Sequence, residues 1–312
     1  MIKIVFFGTP EYVIPIVEKL DKTFRSARER GLVAVVTQPP KPSGRGNKIE
    51  YSEVDHWAHK HHIKIIFDLD QVPEADIAIV ASYGKIIPER VIRKFKFGIL
   101  NVHPSLLPKY RGASPVQATI ASGDTETGLT IIKMDDRMDH GPIVSRFKDD
   151  VLSHDTTETL RNRLFDRSAD FLVELIPSYI EGRARIKQQD HDIATFTTLI
   201  KKEDAYINPV HLNELLNGNE IKDKLTLSFI KESQLDYSPE LIECFIRAMQ
   251  PWPVAWTHVK TSDKDSQTKR LKLHKAHVED NTLVLDEVQL EGKSVVAWKQ
   301  FIEGYPNYVF KK

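Results

Sequence analysis

Cysteine is nearly absent from this chain. Cys244 is alone among 312 residues, which excludes an internal disulfide and a cysteine-based zinc site. It falls on the apolar side of an expected helix, a setting that suits a small core residue better than a reactive thiol. Long apolar runs are missing as well, and none approaches the roughly 20 residues of a membrane-spanning helix. The run that begins Met1-Ile2-Lys3 enters a strand pattern directly, without the basic region, apolar region and cleavage site of a secretory signal. A cytoplasmic protein with no membrane attachment is expected. An excess of either charge is the third absence: 44 Lys and Arg balance 44 Asp and Glu. No global field draws such a chain onto a polyanion, so any polyanion contact must come from a local patch. From residue 190 onward acidic residues outnumber basic ones. That excludes a strongly basic nucleic-acid domain but not a basic stripe. Glycine is scarce where a dinucleotide would need it. The first turn, Gly8-Thr9-Pro10, lacks the second and third glycines that let backbone approach a pyrophosphate, so no nicotinamide or flavin dinucleotide is expected.

What the chain does contain is the alternation of an α/β protein. Apolar strands are expected over 2–7, 32–37, 63–67, 75–81 and 98–102, with helical patterns between them. Uninterrupted apolar strands separated by helices imply a parallel sheet covered on both faces, a doubly wound domain whose ligands lie beyond the strands' carboxyl ends. The stretch from Gln38 to Gly46 is too rich in proline and glycine for regular structure. Asp155 to Glu158 reads as a capping box for a long helix, which Pro177 should bend or end. A polar stretch over 183–195 then separates a region of period two, with Leu271 and Leu273 alternating with Lys272 and His274. The expected division is a catalytic domain over 1–188, a linker over 189–207, and a small β-rich domain over 208–312, for which a barrel is one form.

Asn101 and His103 stand at the end of the fifth strand, and Asp139 follows about one strand–helix step later. An amide can donate to an oxyanion, an imidazole can donate or shuttle a proton, and a carboxylate can orient the imidazole or accept a proton. Together they can move an acyl group without a covalent intermediate. Their structural reading, a proline-held loop that merely bonds its own backbone, is weakened by Ser105-Leu-Leu-Pro108 and Arg111-Gly112 close by. His56, His59, His61 and His62 crowd one helix and its end, without an obvious carboxylate partner. A solvated helix end is the better reading, and no metal site is expected. Lys41, Arg45 and Lys48 lie in the loop after the second strand, as either solvated charges or a basic finger that contacts phosphates. Lys269, Arg270, Lys272 and Lys275 form the densest basic cluster of the second half.

Asn101-x-His103, Ser105 to Gly112 and Asp139-x-Gly141 resemble the signature of the folate-dependent formyltransferases. Val5 to Pro10, Thr37 to Gly46 and Ala81 to Pro88 resemble the members of that family that formylate tRNA. So do Lys201 to Ala205, Arg247 to Pro253 and Val288 to Lys293. The resemblance implies a Rossmann-like formyltransferase domain and a C-terminal domain similar to an oligonucleotide-binding (OB) barrel. It implies 10-formyltetrahydrofolate as donor and methionyl initiator tRNA as acceptor, with the enzyme expected to be a monomer. Folate would lie against Ser82, Tyr83, Gly84, Ile86 and Ile87, and against Ser105, Leu106, Leu107 and Pro108. The tRNA would meet Lys41, Arg45, Lys48, Lys269, Arg270 and Lys272. Asn101, His103 and Asp139 would be catalytic, with Asp139 holding His103 in its charged form. An amino-sugar nucleotide or another small amine is the alternative acceptor. A non-enzymatic folate- or RNA-binding module is a third reading, disfavoured because pure binding needs no such trio. The family pattern is not matched throughout: Asp136 to Pro142 departs from it, 208–236 looks inserted, and the stretch between Trp256 and Leu283 looks short. Leu225 to Ile230 could supply a replacement strand.

Overall fold

The protein is described by a computed structural model over residues 1–43, 47–262 and 267–310. Its contacts divide into two compact units. One comprises Met1–Arg111, Gly128–Asp149 and Arg161–Ala194, and the other Gly112–Thr127, Asp150–Leu160 and Thr195–Lys312.

The first unit is built on seven strands: β1 (Ile4–Gly8), β2 (Leu32–Val36), β3 (Ile65–Ile66), β4 (Ile77–Ala81), β5 (Ile99–His103), β6 (Glu126–Lys133) and β7 (Ile143–Asp150). Their order is β7-β6-β5-β4-β1-β2-β3. β1 runs parallel to β2 and β4, and β4 parallel to β5, while β6 is antiparallel to β5. The strand order reverses between β1 and β4. Every residue of these two strands is buried, as a sheet covered on both faces requires. One side of the core joins Val5, Phe7, Val36, Ala78, Val80 and Ile99 to Tyr83, Ile87 and Phe95. Phe7 meets the rings of Tyr83 and Phe95 edge-on, at 5.5 and 6.2 Å. The doubly wound sheet expected from the alternation is therefore present, as is the Rossmann-like form that the resemblance implied.

The proline-rich stretch after β2 is more regular than its composition predicted. Lys41–Ser43 pairs antiparallel with Lys48–Glu50, a ladder that tolerates Pro42 because it is only two strands wide. The helix over Thr157–Ile180 continues past Pro177. The proline lies in the last turn and removes a single backbone donor, too little to end it earlier. The capping pair is shifted by one residue from the predicted box: Thr156 Nα and Oγ1 engage Thr159 Oγ1 and Nα at 3.0 and 3.3 Å. Asp155 instead accepts from the Leu152 backbone and the Thr159 hydroxyl.

The second unit holds a five-stranded antiparallel sheet: β8 (Ala255–Lys260), β9 (Lys269–Glu279), β10 (Thr282–Leu290), β11 (Val295–Ala297) and β12 (Val309–Phe310), ordered β11-β10-β9-β8-β12. Leu271, Leu273, Leu283, Leu285, Val288 and Leu290 are buried. A helix over Pro239–Ala248 packs on β9 through its apolar face. Ser238 caps it by accepting from Leu241 N at 3.1 Å, as Ser-Pro-Glu predicted. Residues 225–230 do not replace a strand of this sheet. Lys224–Leu225 pairs with Leu235–Asp236, Ile230 makes an isolated bridge to Thr197, and the turn between buries Leu227, Phe229 and Ile230. Apolar content there serves packing, because three buried side chains within four residues do not fit the period of a half-exposed strand. Phe229→Ala should therefore destabilise the protein by about 3–5 kcal/mol, read by chemical denaturation. Unfolding at the wild-type midpoint would show that this segment carries no core.

Candidate active site

β1 and β4 end side by side, with Gly8 opposite Ala81, and β5 follows in the sheet with Asn101 opposite Val80. Such a reversal of strand order opens a crevice beyond the carboxyl ends. Asn101 and His103, two apart on β5, face the same way. Asp139 comes from the loop between β6 and β7. Asn101 Nδ2 donates to Asp139 Oδ1 at 3.0 Å. His103 Nδ1 lies 3.5 Å from Asp139 Oδ2, with both side chains largely buried. On the far side of the ring, His103 Nε2 is 3.0 Å from the Tyr110 carbonyl. A carbonyl only accepts, so Nε2 carries a hydrogen and Nδ1 is the nitrogen turned toward Asp139. The structure thus brings the three predicted residues together in one place.

Two segments flank this trio. After β4, Ser82 and Gly84 take positive φ, +48° and +78°. The Tyr83 carbonyl accepts from both Thr9 Oγ1 and Gln38 Nε2 at 3.1 Å, and a side chain at position 84 would strike Gln38. Tyr83 and Ile87 point into the core, whereas Ile86 is 84% exposed. After β5, Ser105 Oγ donates to the Lys109 carbonyl at 2.6 Å. Thr130 Oγ1 accepts from Leu107 N and donates to the Ser105 carbonyl. Ser105 and Leu107 are buried, while Leu106 and Pro108 remain partly exposed. The nine residues assigned to folate therefore separate into a buried set and a surface set.

The basic residues are distributed more widely than the sequence implied. Lys41 Nζ donates to Gln38 Oε1 at 2.8 Å, and Lys48 is exposed on the neighbouring strand. Arg45 lies outside the described residues. In the second unit the pleat divides the cluster: Arg270 and Lys272 share the outer face of β9, and Lys269 is on the face of Leu271 and Leu273. Lys269 Nζ reaches Thr261 Oγ1 at 3.4 Å. Arg270 and Lys272 stand opposite His258 and Trp256 on β8. The Arg270 guanidinium covers the Trp256 ring at 4.2 Å, and Tyr206 lies 4.9 Å from that ring. Arg270, Lys272, Gln289 and Glu291 line an open surface hollow. Lys275 follows an irregularity in the β9–β10 register.

Sequence reasoning missed a network behind Asp139. Gln189 Nε2 donates to the carbonyls of Asp139 and Gly141 at 2.9 and 2.7 Å. Its Oε1 accepts from Arg111 Nε and Nη2 at 3.1 and 2.7 Å. Both side chains are at least nine-tenths buried. Burial pulls the Arg111 guanidinium below its usual value, opposed by Asp139 and Asp135. Arg111 Nη2 also meets His191 Nδ1 at 2.7 Å, and His191 stacks on His140 at 4.0 Å. An imidazole nitrogen that accepts from a guanidinium must be unprotonated. In agreement, desolvation and then His140, Arg111 and Arg137 shift His191 below the usual imidazole range, against Asp135. Gln189 carries no periodic or motif signal, since it sits in a polar stretch read as linker. Among the described residues, no group of His, Cys, Asp or Glu is arranged to hold a metal ion.

A family profile for formyl transferases matches residues 2–176. The methionyl-tRNA formyltransferase of Thermotoga maritima is 40% identical over 216 residues, 66% of this chain and 67% of that one. The methionyl-tRNA formyltransferase of Legionella pneumophila strain Paris is 30% identical over 326 residues, covering 96% and 94% of the two chains. Among solved structures, a methionyl-tRNA formyltransferase from Clostridium thermocellum shares the fold with a TM-score of 0.55 at 19% identity, over 93% of this chain and 99% of that one. The chain belongs to the formyl transferase family, among the methionyl-tRNA formyltransferases.

Proposed function

We propose that this protein transfers the formyl group of 10-formyltetrahydrofolate to the amino group of methionyl initiator tRNA, working as a cytoplasmic monomer. The observation that carries the reading is the convergence of Asn101, His103 and Asp139 at the carboxyl end of β5. No described helix is long and apolar enough to cross a membrane.

The reaction follows from the donors and acceptors in place. The neutral amine of the acceptor attacks the formyl carbon, a carbon–nitrogen bond forms, and the carbonyl electron pair moves onto oxygen. One Asn101 amide hydrogen is directed at Asp139, and the other is suited to that oxyanion. His103, with hydrogens on both ring nitrogens, donates from Nδ1 beside it. Asp139 accepts the proton shed by the attacking amine, directly or through water. When the tetrahedral intermediate collapses, the bond to N10 of tetrahydrofolate breaks and that nitrogen receives the proton. Donors held in place before the charge develops need not reorganise, which makes each worth about 2.7–4 kcal/mol in comparable sites.

In the same reading Ser82, Gly84, Ile86, Leu106 and Pro108 form the surface that meets folate. Tyr83, Ile87, Ser105 and Leu107 hold that surface from beneath, as their burial supports. Lys41, Arg45 and Lys48 contact the acceptor end of the tRNA. Arg270, Lys272 and Lys269 contribute further phosphate contacts, with Trp256 supporting the Arg270 guanidinium.

Single-turnover formylation tests the trio. Asn101→Ala and Asp139→Asn should each lower the rate by roughly 10²–10³, and a near-normal rate in either ends its assignment. Offered charged initiator tRNA and amino-sugar nucleotides separately, the enzyme should formylate the tRNA; transfer only to sugars would overturn the acceptor. Arg270→Ala should weaken acceptor-tRNA binding and reduce its logarithmic salt slope by about 1, with folate KM unchanged. An unaltered slope would remove Arg270 from the tRNA interface.

A further inference from the structure

Asp139 adopts φ +49°, a left-handed conformation that costs most residues with a Cβ about 1–2 kcal/mol and Asp somewhat less. The loop that contains it, between β6 and β7, is irregular. Something must over-determine the backbone there, or the carboxylate would not stay between Asn101 and His103. Gly141 makes one contribution, because a Cβ at that position would collide with the Lys133 carbonyl. The second comes from Gln189. Its amide nitrogen has two hydrogens, and the carbonyls of Asp139 and Gly141 take one each.

The orientation of this amide is fixed by chemistry. Arg111 has only donors, so the atom facing it must be the amide oxygen, and the carbonyls of the loop must face nitrogen. The segment is also anchored just before this point, where Ile143 and Lys187 exchange backbone hydrogen bonds at 2.8 and 2.9 Å. Two residues later His191 meets the same guanidinium.

We propose that Gln189 is a positioning residue for formyl transfer, held by Arg111 and acting through the backbone of Asp139 and Gly141. It touches no reacting atom. Its amide N–H groups keep the Asp139 carboxylate at the distance at which it serves Asn101 and His103. The inference rests on the catalytic reading above, and goes beyond it by separating the two ends of one side chain. The amide oxygen serves the Arg111 contact, and the amide nitrogen serves catalysis.

Gln189→Glu tests that division, since a carboxylate still accepts from Arg111 yet cannot donate to the two carbonyls. Gln189→Met removes both ends at similar size. Both variants should show kcat lowered about tenfold or more, with KM for folate and tRNA within about twofold, because the lost interaction acts on the transition state. Amide hydrogen exchange over 135–142, measured without substrate, should rise in both variants, while Gln189→Glu unfolds near the wild-type midpoint. Wild-type kcat in Gln189→Glu, with only Gln189→Met impaired, would mean that the Arg111 contact alone matters and would overturn the proposal. Unchanged exchange in both variants would overturn it too. Failure of the catalytic reading has a different signature: Asn101→Ala and Asp139→Asn retain activity whatever the Gln189 variants do.

Discussion

A carboxylate from an irregular loop must reach two side chains on an inner strand, and the rest of this site depends on that approach. Asp139 bridges Asn101 and His103 with its backbone turned into the left-handed region. The side chains themselves are ordinary. What makes them useful is that the loop is held by Gln189, and Gln189 by a guanidinium buried with it. A hydrogen bond to a charged group typically contributes about 1.5–3 kcal/mol and a neutral one about 0.5–1.5. Such a network is sufficient to offset the cost of one left-handed residue, with margin left to resist motion.

The same economy appears on either side of the trio. The Tyr83 carbonyl is fixed by Thr9 and Gln38, one from the turn after β1 and one from the chain after β2. Thr130 on β6 ties together Ser105 and Leu107 after β5. The segments after β4 and β5 are therefore each pinned by a hydroxyl or amide from a neighbouring strand or the chain just beyond it. The strand order decides which neighbours are available. Gly8 lies beside Ala81, and Val80 beside Asn101, because β4 sits between β1 and β5.

Legibility in the sequence was uneven, and the unevenness has physical causes. β1 and β4 could be read directly, since a strand covered on both faces must be apolar at every position. Asn101, His103 and Asp139 stand out in the sequence because few residue types supply an oxyanion donor and a proton acceptor, and the fold brings them together. Thr156 was misread by one position because Asp155 and Glu158 offer an equally plausible box. The hairpin over Lys41–Ser43 and Lys48–Glu50 was hidden by its prolines and glycines, which punctuate turns and loops alike. Leu225 to Ile230 resembled a strand because apolar content alone does not distinguish pairing from packing. The split of Lys269 from Arg270 and Lys272 depends on strand parity, which a cluster count ignores.

By itself the sequence determined the alternating α/β class, the absence of a dinucleotide fingerprint, and the three side chains suited to formyl transfer. Those follow from local quantities: apolar periodicity, turn chemistry, and the acid–base character of single residues. Only the tertiary structure decided which nitrogen of His103 faces Asp139, which residues of 82–87 and 105–108 are exposed, and that Gln189 and Arg111 stand behind the loop that carries Asp139. The Gln189 contacts alone join residues 50 and 78 positions apart. No single-sequence pattern encodes such pairings, because a buried glutamine and a solvated one have the same letter and differ only in what the fold places beside them.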